Sequence, residues 1–225
     1  MNTICPFPFC RAVFTVEGEQ YQQSDRFGHA RCPACDHGFV ARPLELISTL
    51  ASKHNLDLEI DRSVFSIDPL ARLVVVLDDV RSLHNVGAVF RTADAAGFSH
   101  VYLSGITGVP PRKEISKVSL GAEDWIPYSY HLFLPEILLS LKAAGYSIVA
   151  LERNQTSKSL YQALNSRVLK TPLCLIVGNE VLGVSIEALG LCDEVCHLNM
   201  RGKKESLNAS VAFGVAAYFL AESLL

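Results

Sequence analysis

An α/β domain, a parallel sheet with helices on both faces, is the fold class this sequence predicts, with a small separate module ahead of it. Three observations predict it. From Leu73 onward, short apolar runs alternate with segments of helical periodicity. The run Leu73-Val74-Val75-Val76-Leu77 is apolar without interruption, which suits a strand covered on both faces. Four of the 7 cysteines fall within the first 35 residues, as Cys5-x4-Cys10 and Cys32-x2-Cys35.

In chain order, the cysteine segment comes first. A tetrahedral zinc site needs four soft ligands, typically offered by two tight turns. Pro6 and Pro8 shape the first turn and Pro33 the second. Between them, Ala12-Val13-Phe14-Thr15-Val16 reads as a strand. About thirty-five residues cannot build a sufficient core alone, so a metal is expected to fold them. Residues 1–40 look like a zinc ribbon, with Cys5, Cys10, Cys32 and Cys35 holding one structural Zn2+. The alternative is reduced free cysteines. His29 and His37 are substitute ligands or surface residues. A closed four-thiolate site would stabilise or bind, not catalyse. Cys174, Cys192 and Cys196 sit in apolar surroundings and read as small core residues.

Residues 41–70 read as a helical connector. Pro43 opens a helix as its first residue, and Leu44, Leu46, Ile47, Leu50 and Ala51 give it an apolar face. The stretch 57–68 is polar, with alternating apolar residues.

Residues 71–225 form the α/β domain. After the strand at Leu73, helical spacing of Val86, Val89, Phe90 and Ala93 predicts a helix from Asn85 to Ala96, closed by Gly97. Val101 to Leu103 is a short strand. Ile137 to Ala144 is a helix ended by Gly145, and Ile148 to Leu151 a strand. Leu173 to Val177 is a strand, followed by a glycine-containing loop and a short helix near Ser185 to Leu189. Val195 to Leu198 is a strand, and Ser206 to Leu220 a long helix. That last helix is apolar around most of its circumference, through Val211, Ala212, Phe213, Val215, Ala216, Phe219 and Leu220, so it must be buried somewhere.

Hydrophobic content of 49% and charged content of 19% fit a folded protein. The apolar runs are too short or interrupted to span a membrane. The N-terminus lacks a basic start followed by an apolar stretch, so no secretory signal is read. A cytoplasmic protein is expected. Net charge is −3, with 6 basic and 9 acidic side chains in 1–70 and 14 of each in 71–225. Nucleic-acid binding would therefore need a local basic face. Arg81, Arg91, Arg112, Lys113 and Lys117 are one candidate set, and Arg201, Lys203 and Lys204 another.

Three stretches carry the chemistry: His84-Asn85-Val86-Gly87-Ala88-Val89-Phe90-Arg91-Thr92-Ala93, Gly178-Asn179-Glu180-Val181-Leu182-Gly183, and Glu205-Ser206-Leu207-Asn208-Ala209-Ser210. Gly178, Gly183 and Gly202 can let loop backbone approach a ligand, at the usual ligand edge of an α/β sheet. Arg91 can grip a phosphate in bidentate fashion. Asn85 can hold that arginine, or serve as a helix N-cap. Glu180 is a candidate site carboxylate, or caps the helix ahead of it. Ser206 and Asn208 cap the last helix or hydrogen-bond a ligand. The chain has no Gly-x-Gly-x-x-Gly, so a Rossmann-type site is poorly supported.

In this order, the three stretches resemble the motifs of the SpoU (TrmH-type) branch of the SPOUT RNA methyltransferases. Leu120-Gly121-Ala122-Glu123 also resembles a segment found between the first two motifs. The resemblance runs from about Arg72 to the C-terminus and omits the first forty residues. It implies methyl transfer from S-adenosylmethionine to a ribose 2′-hydroxyl of tRNA or rRNA. It further implies a C-terminal trefoil knot around motifs two and three, and a homodimer paired through that region. The implied cofactor pocket is Val177, Gly178, Asn179, Gly183, Leu198, Met200, Ser206 and Leu207. The implied catalytic set is Asn85, Arg91, Glu180, Ser206 and Asn208. Family members are thought to use the arginine in activating the hydroxyl. Arginine is essentially always protonated, so charge stabilisation is its safer physical role. The intact Ser206-Leu207-Asn208 favours ribose over base methylation. A base methyltransferase, or a knotted zinc-bearing RNA-binding protein without turnover, are the alternatives.

Overall fold

The computed structural model describes residues 1–16, 22–24, 27–56, 67–68 and 70–225. Most of the polar stretch expected at 57–68 lies outside these residues. In the N-terminal module, β1 (Asn2–Ile4) pairs antiparallel with β2 (Val13–Thr15). Strands β3 (Gln22–Ser24), β4 (Phe27–Arg31) and β5 (Gly38–Ala41) form a second antiparallel sheet. Their small core holds Cys5, Phe7, Val16, Cys32 and Phe39. Helix α1 (Leu44–Lys53) follows. Ile47 and Ala51 are buried, as the periodicity predicts, and Pro43 stands just before the helix rather than in it. The helix packs with Ile4, Leu132 and Phe133, so it touches both the module and the domain.

The domain runs β6 (Leu73–Asp78), α2 (Leu83–Ala95), β7 (His100–Ser104), α3 (Lys113–Ser119), a 3-10 turn at Ala122–Asp124, β8 (Tyr128–His131) and α4 (Leu134–Ala143). It continues with β9 (Ser147–Leu151), β10 (Lys158–Ser159), α5 (Leu160–Asn165), β11 (Leu173–Val177), α6 (Ile186–Leu189), β12 (Glu194–His197) and α7 (Ala209–Leu224). The sheet order is β10-β12-β9-β11-β6-β7-β8, parallel at every pairing.

Side chains alternate across a strand, so the apolar run of β6 feeds two cores. Leu73, Val75 and Leu77 meet Val86, Phe90, Phe213 and Leu220 of α2 and α7. Val74 and Val76 meet Ile137, Leu138 and Leu141 of α4, and Ala188 of α6. Helices on both faces are thus observed as expected. Among the described residues, no helix is long and apolar enough to cross a membrane.

Two local expectations are corrected, at the starts of α2 and α7. Helix α2 begins before Asn85; its N-cap is Ser82, whose hydroxyl accepts from Asn85 N at 3.3 Å. Asn85 therefore sits inside the first turn and is not the cap. Helix α7 begins at Ala209 with Asn208 as its cap, leaving Ser206 outside. Gly87, central to the first motif, is a packing residue. A Cβ there would stand 2.5 Å from the Ile115 carbonyl oxygen of α3. The segment Leu120-Gly121-Ala122-Glu123 ends α3, with Leu120 and Gly121 at φ of 53° and 91°, and Glu123 accepts from Ser119 Oγ. Finally, α7 buries only part of its circumference. Phe213, Ala216, Ala217 and Leu220 are covered, but Val211, Val215, Tyr218 and Phe219 are exposed.

Candidate functional site

The carboxyl ends of β9, β11 and β12 open onto a cleft of about 310 Å³, where open α/β sheets bind ligands. Val177, Gly178, Asn179, Gly183, Leu198, Met200, Ser206 and Leu207 all line it, as do Glu180 and Asn208. Leu151, Glu152, Arg153 and His197 line it too, and nothing in the sequence singled them out.

The loop after β11 is closed on itself. Asn179 N donates to Gly183 O, and Gly183 N to Asn179 O, both at 2.9 Å. The Asn179 side chain completes the turn: its Oδ1 accepts from Val181 N at 2.9 Å and Leu182 N at 3.1 Å. Its Nδ2 donates to the Asp79 carbonyl at 2.7 Å. The glycines serve this closure more than any approach to ligand. A Cβ at Gly178 would overlap the backbone of Gly183 and Val184. Gly183 has a left-handed φ of 73°, and a Cβ there would overlap the Glu152 carboxylate. Glu152 in turn accepts from Val184 N at 2.9 Å, so it is a loop-holding residue that sequence reasoning missed. Gly202 has open space around it.

The three motifs, far apart in the chain, meet through one hydrogen-bonded chain. Asn85 Nδ2 donates to Glu180 Oε1 at 2.9 Å, and Asn208 Nδ2 donates to Asn85 Oδ1 at 3.1 Å. The single hydroxyl proton of Ser210 faces both Asn208 Oδ1 at 2.7 Å and Asn85 Oδ1 at 3.3 Å. Asn208 Oδ1 accepts from Ser210 N at 3.0 Å and Val211 N at 3.3 Å, capping α7. Glu180 accepts from Arg81 N at 2.9 Å and Ser82 N at 3.0 Å. It therefore caps α2, not the helix ahead of it, which begins after Ser185. Desolvation raises the Glu180 carboxyl, but the donors from Arg81, Ser82 and Asn85 outweigh that and hold it below its ordinary value.

Arg91 is placed otherwise than expected. Asn85 commits its side-chain oxygen and nitrogen to Glu180, Asn208 and Ser210, so it does not hold Arg91. The Arg91 side chain is exposed on α2, and its guanidinium has no hydrogen-bond or ion-pair partner among the described residues. Ser206 is exposed in the cleft wall.

At the other end of the chain, the sulfurs of Cys5, Cys10, Cys32 and Cys35 all lie within 4.8 Å of one another. Cys5 and Cys35 are 3.7 Å apart and Cys10 and Cys32 3.6 Å. Tetrahedral zinc with bonds of about 2.3 Å puts sulfurs about 3.8 Å apart, so the donor set fits that ion. His37 is turned elsewhere, with Nδ1 2.9 Å from the Cys35 carbonyl and its ring 4.4 Å from that of Phe7. Cys174 and Cys196 are buried and Cys192 partly so, as core residues.

Residues 72–218 match the family model described as the SpoU rRNA methylase family. The chain belongs to that family. A relative within it is the 23S rRNA (guanosine-2′-O-)-methyltransferase RlmB of Ralstonia nicotianae, 34% identical over 65% of this chain and 57% of the relative. The tRNA (guanosine(18)-2′-O)-methyltransferase of Escherichia coli is 29% identical over 65% of this chain and 61% of its own. The chain thus spans under two thirds of the length of these relatives. Among solved structures, the AdoMet-bound rRNA methyltransferase of Sinorhizobium meliloti aligns with a TM-score of 0.65 at 27% identity, covering 81% of this chain and 71% of that one. The TrmH/SpoU tRNA modifying enzyme of A. aeolicus aligns at 0.60 and 30%, covering 67% and 74%. The SpoU match begins just before β6, so the cysteine module lies outside it.

Proposed function

We propose that this SpoU family member is an RNA methyltransferase that uses S-adenosylmethionine (AdoMet) and acts on a ribose 2′-hydroxyl of tRNA or rRNA. The observation that carries the reading is the Glu180–Asn85–Asn208 chain, which ties all three motifs together at the cleft. The 2′-O-methyltransferase relatives named above support it. Val177, Leu198 and Leu207 offer the cleft apolar walls, and the backbone around Gly178 and Met200 offers polar groups, which suits a nucleoside-bearing cofactor. AdoMet, when bound, supplies the electrophilic methyl group.

The residues then divide into two kinds. Asn85, Glu180 and Asn208 have committed their polar atoms to one another and to helix ends, so they hold the site in shape. Arg91 and Ser206 keep polar groups for a substrate. Arg91 grips a phosphate or stabilises charge developing on the 2′-oxygen. Ser206 hydrogen-bonds the ribose edge. RNA affinity comes from local contacts at the exposed Arg81, Lys113, Arg201 and Lys203.

Three further parts belong to the same reading. The module binds one structural zinc ion through Cys5, Cys10, Cys32 and Cys35, supported by the sulfur spacing. The chain forms a trefoil knot, supported by the meeting of loop 178–184 with segment 198–208 at one cleft. A second copy covers the exposed Val211, Val215, Tyr218 and Phe219 of α7, giving a homodimer in the cytoplasm.

The test is methyl transfer from labelled AdoMet to total RNA, followed by mapping of the modified nucleotide. A substrate with a single 2′-deoxy sugar at the mapped site is expected to bind yet accept no methyl group. Continued methylation of it would place the acceptor on the base.

A further inference from the structure

The cysteine module reaches the cofactor side of the domain through two buried polar contacts. Arg42, directly after β5, is 6% exposed and pairs with Asp79, itself 6% exposed, just past the end of β6. One residue of β5 itself, Val40, donates its N–H to Glu187 Oε2 at 2.9 Å. Glu187 is 2% exposed on α6, the helix that follows the cofactor-side loop. Gly38 packs against Ile186 of the same helix.

Asp79 is also where that loop is tied down. It holds a left-handed φ of 55°, uncommon for a residue with a Cβ, and such a conformation persists only when its surroundings determine it. Asp79 Oδ1 accepts from Ile106 N at 2.9 Å, Oδ2 takes the Arg42 guanidinium, and the carbonyl accepts from Asn179 Nδ2 at 2.7 Å. The far end of the loop is held by the neighbouring strand residue, where Asp78 Oδ2 accepts from Ser185 N at 2.8 Å. Arg42 thus brings a buried cation to a cluster of buried carboxylates, Asp78, Asp79 and Glu187. Burial disfavours its charge, but Asp79, Glu187 and Asp78 together hold it firmly protonated. A buried carboxylate stripped of its partner is strongly destabilised, so Asp79 would not keep this geometry alone. Arg42 also lies outside the residues matched by the SpoU family model.

We propose that Arg42 is a positioning residue for the cofactor loop. The residue directly after the module's last strand supplies the guanidinium that fixes Asp79, and through its carbonyl Asn179, in the form that binds AdoMet. The cysteine module therefore sets cofactor affinity from behind the loop. This rests on the AdoMet reading above.

The experiment is calorimetric titration of AdoMet into the full chain, as purified with its metal. Binding by the unaltered protein establishes the underlying reading, and no binding there would sink both. Arg42→Gln is expected to weaken AdoMet about tenfold, the usual scale of coupling between distinct sites. The KM for AdoMet should rise with it, while kcat changes little. Arg42→Lys should recover part of the loss. The control is Arg11→Ala, which breaks a separate docking contact of the module, where Arg11 lies 3.9 Å over the Phe133 ring and pairs with Glu136. It should leave affinity within about twofold, since none of the loop's ties involves Arg11, Phe133 or Glu136. Wild-type affinity in folded Arg42→Gln, or equal weakening by Arg11→Ala, would overturn the proposal. If Arg42→Gln does not fold, hydrogen exchange of Arg42→Lys decides. Amides of Val181, Leu182 and Gly183 should exchange faster while those of β6 do not, and an unchanged loop would overturn the proposal.

Discussion

The cysteine module and the α/β domain hold their chains together by different means. In the domain, β6 and β11 are covered on both faces, and each alternate side chain enters a continuous apolar core. Burial there is ample, and a polar side chain such as Arg91 can stay exposed without cost to the core. In the module the core is a handful of side chains, and two of the four clustered cysteines, Cys5 and Cys32, are themselves part of it. Too little apolar area is removed from water for strands of three to five residues to stand alone. The module instead gathers four cysteine sulfurs within 4.8 Å of one another and sets charged anchors, Arg11 and Arg42, into the neighbouring domain. The difference teaches that a module with little apolar area to bury can be docked through charge pairs with its larger neighbour.

The largest effect expected from that difference is on metal removal. Structural zinc in small domains contributes on the order of 10–16 kcal/mol, so chelation or Cys32→Ser should unfold the module. The sheet of the domain should keep its cooperative melt. Metal analysis of the intact protein should find about one zinc per chain. A chelated protein whose module stays folded would break the comparison.

The next two act inside the domain, where fold and function are separable. Arg91→Ala should cut methyl transfer by about two orders of magnitude, the scale of losing a transition-state stabiliser, with AdoMet affinity and thermal midpoint nearly unchanged. Arg91→Lys should rescue little, because an ammonium lacks the planar fork. Loss of AdoMet binding in folded Arg91→Ala would reassign the residue. Gly183→Val should do the converse. Its φ of 73° and the nearby Glu152 carboxylate oppose any side chain, so AdoMet affinity should fall about tenfold, as equilibrium dialysis would show.

The smallest effect is in acid. Glu180 is held below its ordinary value of 4.5 in the folded protein. Its tie to α2 is therefore fully present above that value and is lost as pH falls through the lower, folded one. Thermal midpoints of the wild type should decline more steeply than those of Glu180→Gln on the acid side of 4.5. Parallel curves would show that the carboxylate adds nothing there.

Legibility in the sequence followed burial. Strands β6, β9 and β11 were readable because a strand buried on both faces must be apolar at every position. Helix α2 was readable because one face is buried at helical spacing. The edge strand β8 was missed, since Tyr128 to His131 are all half-buried and carry no clear alternation. Strand β10 has only two residues, and α3 buries only Ile115 and Ser119. The eight residues given as the cofactor pocket all line the cleft of about 310 Å³, whereas Gly202 does not.

The sequence by itself determined which segments are strands and helices at the core, the two cysteine pairs, and the identity of the motif residues. These are local properties, carried by periodicity, spacing and residue type. Only the tertiary structure decided what those residues do for one another. Glu180 caps a helix about a hundred positions upstream, Asn85 joins Glu180 to Asn208 rather than holding Arg91, and Arg42 reaches Asp79 across the module boundary. A hydrogen-bond donor or acceptor is satisfied by whichever partner the returning chain places within about 3 Å, and no window of sequence contains that partner.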